Sequence, residues 1–274
     1  GGGANFCTCK VTFQNMSVII TTEQVKELRD ATGVSVMQCK RALEEAEGDM
    51  KKALAILKKT SSDIALKKMS RKVKDGAVVI KIKDKKAILI SLLCETDFVA
   101  KNSDFVTLLE NLVSIALSDG VEKMKQKAKD LIDPIIQKTG ENIQLGEIYE
   151  VSGKIFGGYV HNNKIAVIVR LEGGNAELAK DIAMHITAMK PEYISESEIT
   201  PDVRKTITEV FEKEIANIDK PAEIKKKILE GKIGAYFKEK TLVSQPFIKN
   251  PEQTISQLLE KSKAKIKEVR RYSI

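Results

Sequence analysis

The fold is decided by two stretches of similar pattern, GAVVIKIKDKKAILISLL at residues 76–93 and GYVHNNKIAVIVRLEGG at residues 158–174. Each stretch places apolar, largely β-branched residues on both sides of a short polar turn, which is Lys83–Lys86 in the first and His161–Lys164 in the second. Such runs around a polar turn are typical of an antiparallel β-hairpin. The second strand of each hairpin is almost wholly apolar, so we expect helices to cover the sheets.

A helical segment follows each hairpin. After the second hairpin it is NAELAKDIAMHITAMK at residues 175–190, and after the first it begins near residue 102. The repeated order of hairpin and helix predicts an α+β core built from two similar halves, residues 71–155 and 156–274, whose sheets are shared or abut.

The region before the core predicts a small three-helix domain and linker, residues 16–70. Helix boundaries are marked by capping and glycine signals: Thr21 with Gln24, Ser35 with Gln38, Asp49, Gly33 and Gly48. Residues 60–75 are polar and basic and are expected to form a helical or flexible connector. Residues 1–15 begin with glycines and precede Met16, so we expect them to be a leader added for expression rather than native sequence.

Residues 201–240 interrupt the second half of the core with a predicted antiparallel helical hairpin. Its apolar seam is expected to contain Val203, Ile207, Val210, Ile218, Ile224, Ile228, Ile233, Tyr236 and Phe237, with a turn at Asp219–Pro221. The pattern fits two arrangements: a hairpin that folds onto the core, or a projecting arm through which two copies of the chain form a homodimer. The tail predicts a helix around residues 255–259 and a last basic strand at Val269–Tyr272.

The composition indicates a soluble protein of a reducing compartment. Of 274 residues, 42% are hydrophobic and 31% are charged, and no apolar run approaches the roughly 18 residues that a membrane span needs. No secretory signal is recognised, and four cysteines do not suggest a disulfide scaffold, so we expect a cytoplasmic location. A net charge of +8 leaves nucleic acid open as a partner, but 5% aromatics, no tryptophan and dispersed lysines argue against direct binding.

The sequence contains no motif of an active site, a metal site or a cofactor-binding loop. A nucleophile with its base, a phosphate-binding loop and a dinucleotide fingerprint are all missing. Of the two histidines, His185 lies on an apolar helix face and is expected to be a hydrogen-bonded core residue, whereas His161 lies in a hairpin turn where it can meet a partner. We therefore expect a protein that is not an enzyme, with no catalytic residues, metal or cofactor.

The segment Cys94–Asn102, CETDFVAKN, is unusual because it follows an apolar strand and places Asp97 and Phe98 in an expected loop before a helix at residues 102–117. Thr96 or Asp97 can act as the N-cap of that helix, with Phe98 as a hydrophobic staple that packs on it. In the other interpretation, Phe98 is exposed and contacts a partner. Composition alone leaves both open.

Two long motifs favour the second interpretation. LRDATGVSVMQCKRAL at residues 28–43 and TDFVAK at residues 96–101 resemble the signature motifs of the elongation factor Ts family. The resemblance extends over residues 18–271, with a ubiquitin-associated-like module, a duplicated α+β core, a helical-hairpin arm and a QPF stretch at residues 245–247. The chain departs from the family pattern at Ser91 and Leu93, and we expect it to lack the extra C-terminal helix of some members.

The resemblance implies a guanine-nucleotide exchange factor that binds the GTPase elongation factor Tu with GDP bound. Asp97 and Phe98 would insert between helices of the GTPase, disturb its Mg²⁺ and phosphate site and release GDP until GTP binds. The full set of partner-binding residues implied in this way is Thr96, Asp97, Phe98, Arg29, Val36, Met37, Gly140 and His161. Two alternatives remain, a protein-binding scaffold and a basic RNA-binding protein of the translation apparatus.

Overall fold

The computed structural model describes residues 19–216 and 221–274. The expected leader at residues 1–15, with Cys7 and Cys9, lies outside the described residues, as do Ile218, Asp219 and Lys220 of the predicted hairpin turn.

The chain forms two compact units. One contains the described residues up to Met69 together with Asp133–Gly140, and the other contains Ser70–Ile132 together with Glu141–Ile274. The division of the core at residue 155 stays a prediction.

The first unit contains the three predicted N-terminal helices, α1 (Thr22–Thr32), α2 (Val36–Glu45) and α3 (Met50–Lys68). The expected caps are present: Thr21 and Gln24 form a reciprocal capping box, the Ser35 side chain accepts from the Gln38 amide, and Asp49 accepts from the amides of Lys51 and Lys52. Gly33 ends α1 at a φ of +65°, a conformation that suits glycine. Because α3 continues to Lys68, most of the expected connector is helical.

The second unit alternates strands and helices. Its elements are β1 (Asp75–Lys83), β2 (Lys86–Cys94), α4 (Asp97–Ala100), α5 (Ser103–Asp119), α6 (Val121–Thr139, whose last turns belong to the first unit), β3 (Gln144–Ser152), β4 (Ile155–His161), β5 (Ile165–Glu172), α7 (Ala176–Met189), α8 (Pro201–Ala216), α9 (Ala222–Lys240), β6 (Pro246–Phe247), β7 (Asn250–Thr254), α10 (Ile255–Lys261) and β8 (Lys265–Ser273). The predicted α+β class and the order of its parts are confirmed.

The core contains two antiparallel three-stranded sheets, ordered β1-β2-β3 and β4-β5-β8. Both predicted hairpins and the last basic strand are present. The sequence pattern did not reveal β3, and α6 was not predicted either.

The sheets abut through a shared apolar cluster that contains Val78, Ala87, Leu89, Val151, Phe156, Ala166 and Ile168. The alternate residues of β5, Val167 and Val169, pack instead with α7. Because successive strand residues point to opposite faces, β5 is buried on both sides, which explains its apolar sequence. Helix α7 lies so close to β4 that a Cβ on Gly157 would overlap the backbone of Ala179 and Lys180.

Helices α8 and α9 form the predicted antiparallel hairpin. Phe211 meets Tyr236 edge-on at 5.9 Å, and the Arg204 guanidinium lies 4.9 Å from the centre of the Phe237 ring. The predicted seam was wrong at Val210 and Ile224, which are 55% and 43% exposed. Positions four residues apart, from Val203 through Phe211 to the buried Ile215, supply the seam instead.

Candidate functional site

The segment between β2 and α5 forms a separate turn of helix, α4, rather than the expected loop. Thr96 is its N-cap in an extended conformation, and its side chain accepts from the Val99 amide at 3.4 Å. Asn102 then caps α5 by accepting from the Asp104 amide at 2.8 Å. The two caps give the segment a defined backbone path at both ends.

Phe98 lies on the outer side of α4. Its side chain is 83% exposed, whereas the next two residues, Val99 and Ala100, are buried. Phe98 therefore does not act as a staple on α5. A largely exposed phenylalanine ring on an ordered backbone is a feature of binding surfaces, because burying it against a partner removes a large apolar area from water.

Asp97 is also on the surface, where its carboxylate accepts from Lys101 at 2.7 Å. This hydrogen bond and the carboxylate charge raise the pKa of Lys101. Both side chains are exposed, so the ion pair can exchange for contacts with another molecule at small cost.

Glu141 holds this segment from a part of the chain 45 residues away. One of its carboxylate oxygens accepts from the amides of Glu95 at 3.1 Å and Thr96 at 3.0 Å, and the other accepts from the Thr96 hydroxyl at 2.6 Å. In return, the Glu95 carboxylate accepts from the Asn142 amide at 2.7 Å and lies 3.5 Å from the Arg71 guanidinium. Sequence reasoning missed Glu141, since no local pattern marks a contact over this distance.

Cys94 also stabilises this turn through a hydrogen bond to its backbone. Its thiol donates to the carbonyl of Thr96 at 3.1 Å, and the side chain is buried. Burial, together with the carboxylates of Glu141 and Asp75, raises the pKa of Cys94 to about 12. The thiol is therefore protonated at neutral pH and serves as a hydrogen-bond donor, not as a nucleophile.

His161 is the last residue of β4, on the other sheet, and the exposed turn to β5 begins immediately after it. Asn162 and Asn163 hold this turn with φ values of +50° and +56°, and the His161 ring stacks on Tyr159 with centroids 6.2 Å apart. Stacking gives the imidazole a preferred position while leaving it accessible.

The remaining predicted residues belong to the first unit. Val36 and Met37 are exposed at the start of α2, and Val36 lines a shallow groove of about 290 Å³ together with Arg29, Val25 and Lys40. Gly140 follows α6 at a φ of +77°, and its carbonyl accepts from the Lys68 ammonium. The exposure of Val36 and Met37 makes both side chains available to a partner.

Among the described residues, no group of three or more His, Cys, Asp or Glu side chains is placed to bind a metal ion. Within residues 19–216 and 221–274, no helix is both long and apolar enough to cross a membrane.

Comparison with known proteins gives consistent results over most of the chain. Residues 95–274 match the profile of the family described as elongation factor TS. The chain is 38% identical to elongation factor Ts of Hahella chejuensis over 262 residues, which covers 93% of this chain and 92% of that protein. It is 39% identical to elongation factor Ts of Cellvibrio japonicus, with 90% and 88% covered, and 38% identical to that of Thioalkalivibrio sulfidiphilus, with 93% and 92% covered.

Proposed function

Because this chain belongs to the elongation factor Ts family, we propose that it binds the GTPase elongation factor Tu in its GDP-bound form and accelerates GDP release until GTP binds. Its role as a translation elongation factor follows from family membership. The observation that carries the finer proposal is the exposed Phe98 on a turn held in place by capping and carboxylate hydrogen bonds.

Phe98 acts as a wedge in this proposal. A rigid aromatic ring fills an apolar crevice well and loses little conformational entropy when it does so. The neighbouring Asp97 carboxylate pairs with a polar group at the rim of the crevice after it leaves Lys101. The inserted pair disturbs the elements of the GTPase that hold Mg²⁺ and the phosphates, and the nucleotide leaves.

This mechanism needs no proton transfer or covalent step, so the protein acts by binding alone and is not an enzyme in the chemical sense. Linkage requires that GDP and the exchange factor weaken each other's binding by the same factor. A 10⁴-fold faster release corresponds to lowering the barrier by about 5.5 kcal/mol. A standard interface with a few strong anchors supplies energy of this order.

Further contacts belong to each unit separately. In the first unit, Arg29, Val36 and Met37 offer basic and apolar side chains to the GTPase, and Gly140 makes a further contact. In the second, Thr96 and His161 add to the contact made by Asp97 and Phe98. With this GTPase as the partner, the proposal also includes a cytoplasmic location and no direct binding to nucleic acid.

The test is release of a fluorescent GDP analogue from purified elongation factor Tu, with and without this chain. We expect the unaltered chain to accelerate release and Phe98→Ala to lose most of the acceleration, because truncation of an interface anchor costs about 2–4 kcal/mol of binding. Leu66→Ala, which removes an exposed apolar side chain from α3, is the matched control and should exchange normally.

The melting temperature separates the two interpretations of Phe98. An exposed side chain contributes little to folding, so Phe98→Ala should melt close to the unaltered chain. No acceleration by the unaltered chain would overturn the proposed function. A Phe98→Ala variant that melts much earlier but exchanges normally would overturn the role of Phe98.

A further inference from the structure

Helix α4 is too short to be stable by itself. It contains four residues, Asp97–Ala100, and the first turn of a helix fixes several backbone angles for a single hydrogen bond. A ring that is 83% exposed contributes no packing of its own. The position of Phe98 is therefore set by contacts made elsewhere in the segment.

Glu141 contacts Glu95 and Thr96, the residues that lie three and two positions before Phe98. Its carboxylate accepts from two consecutive amides, those of Glu95 and Thr96, and from the Thr96 hydroxyl. Hydrogen bonds to an ionised carboxylate are shorter and stronger than bonds between neutral groups. Three of them on one side chain fix the backbone at the residue from which α4 begins.

The hydroxyl of Thr96 links this carboxylate to the helix. It donates its proton to Glu141 at 2.6 Å and accepts from the Val99 amide at 3.4 Å. Donation to Glu141 turns the oxygen lone pairs away from the carboxylate and toward the first turn of α4. Glu141 therefore orients the N-cap as well as the backbone.

The hydrogen bonds between the two segments run in both directions. Glu95 accepts from the amide of Asn142, the residue after Glu141, and the Asn142 side chain donates to the Arg71 carbonyl at 2.7 Å. Residues 95–96 and 141–142 thus hold each other through both backbones. In this arrangement Glu95 and Glu141 are used internally, and Asp97 remains on the surface for a partner.

We propose that Glu141 is a positioning residue of the exchange site. It fixes the turn that presents Phe98, and its effect on nucleotide release depends on Phe98. The effect on nucleotide release rests on the proposed function. The effect on the turn itself does not, which allows the two to be tested separately.

The first experiment measures the turn in the free protein. The chain has no tryptophan, so Phe98→Trp places a single indole at the exposed position. We expect Glu141→Ala in this background to lower the steady-state anisotropy of the indole by increasing its local motion, with a smaller change for the isosteric Glu141→Gln. Glu147→Ala, which removes an exposed glutamate from β3, is the matched control. Unchanged anisotropy in both Glu141 variants would overturn the proposal.

The second experiment is a double-mutant cycle on GDP release from elongation factor Tu. We expect Glu141→Ala to slow exchange about tenfold in the unaltered background, because small misplacements of a contact group have large effects on rate. In the Phe98→Ala background the same change should alter the residual rate less than about twofold. Equal losses in both backgrounds would overturn the proposal, because Glu141 would then act independently of Phe98.

Glu141→Gln keeps the experiment decisive if Glu141→Ala does not fold, since it preserves the shape of the side chain but removes its charge and replaces one accepting oxygen with an NH2 donor. If the unaltered chain fails to accelerate release, the proposed function is overturned, and the anisotropy measurement still decides whether Glu141 holds the turn.

Discussion

The ammonium group of Lys164, in the turn between β4 and β5, donates a hydrogen bond to the carboxylate of Asp75 at the start of β1. The same ammonium donates to the Gly76 carbonyl at 2.6 Å, and the Val78 amide donates to the Asn163 carbonyl at 2.9 Å. One turn of the second hairpin is thereby tied to the first strand of the other sheet. Burial opposes ionisation of Asp75, but the hydrogen bonds from Lys164 and the Gly76 amide outweigh it and lower the pKa of Asp75.

Replacing this lysine should weaken the connection between the sheets. Because the Asp75 pKa is lower in the folded state, its stabilisation is present above the unfolded value of about 3.9 and is lost as the pH falls through the folded value. We expect Lys164→Met to reduce the free energy of unfolding by about 1–2 kcal/mol at pH 7, after allowance for partial exposure. Urea unfolding at pH 7 and pH 3 measures the effect, and the difference from the unaltered chain should shrink at pH 3.

Lys267→Met is the control, because it removes an ion pair with Glu172 in which both side chains are largely exposed. It should leave the unfolding midpoint unchanged. An equal loss in both variants at pH 7 would contradict a special role for Lys164.

His185 should make the stability of the protein depend on pH. The ring is fully buried, its Nδ1 accepts from the Ile248 amide at 3.3 Å, and its Nε2 donates to the Gln245 side-chain oxygen at 2.8 Å. This pattern is satisfied by the neutral ring, since a proton on Nδ1 would face the Ile248 N–H. Burial lowers the His185 pKa, and the Gln245 hydrogen bond opposes this only in part.

Because the His185 pKa is lower in the folded state, the unfolded chain binds a proton on this ring at a pH at which the folded chain does not. The free energy of unfolding should therefore be highest above the unfolded histidine pKa of about 6.5. It should decrease as the pH falls below that value, by up to about 1.4 kcal/mol per pH unit. Urea unfolding between pH 7.5 and pH 5 should show this slope in the unaltered chain and in His161→Gln, which removes the exposed histidine. Loss of the slope in His161→Gln rather than in His185→Gln would refute the assignment.

Local signals account for the parts of the fold that could be predicted. The caps at Thr21, Ser35 and Asp49 act within three residues, and the polar turns of both hairpins are contiguous in sequence. The strand β3, QLGEIYEVS, was not predicted because it lacks an apolar run. It is an edge strand, and its residues are mostly half-buried. The error at Val210 arose because several apolar residues of α8 fit a helical repeat, and only packing selects Phe211 and Ile215.

The candidate site was predictable in part for the same reason. The sequence marks Asp97 and Phe98 as unusual, but it cannot show whether a phenylalanine beside a helix packs or projects. It also cannot show that Glu141 and Thr96, 45 residues apart, form a hydrogen bond of 2.6 Å. Such contacts depend on the path of α6 and β3, which local patterns did not reveal.

The helical hairpin should be removable without loss of the remaining fold. Its two ends are held together by neighbouring backbone: the Glu192 amide donates to the Lys240 carbonyl at 2.9 Å, and the Leu242 amide donates to the Tyr193 carbonyl at 2.9 Å. Replacing residues 201–238 with a short glycine-serine linker therefore closes a small gap. We expect a single cooperative thermal transition.

Light scattering of the full chain and the shortened chain tests the homodimer at the same time. If the hairpin is an arm that joins two copies, a dimer of the full chain becomes a monomer after deletion. Loss of cooperative melting on deletion would show instead that the hairpin is part of the core.

Thr96 and Asp97 should separate folding from exchange, because the structure gives them different tasks. Thr96 is the N-cap of α4 and bonds to Glu141, so Thr96→Ala should lower the free energy of unfolding by about 1 kcal/mol, and Thr96→Ser should restore most of it.

Asp97 is not the cap; its side chain is 46% exposed and contacts Lys101. Asp97→Ala should therefore leave the unfolding midpoint unchanged and slow GDP release. Lys101→Ala is the matched control, since it removes the same ion pair while keeping the carboxylate, and it should exchange normally. Equal slowing by Lys101→Ala would mean that the ion pair, rather than the carboxylate offered to the partner, is what release requires.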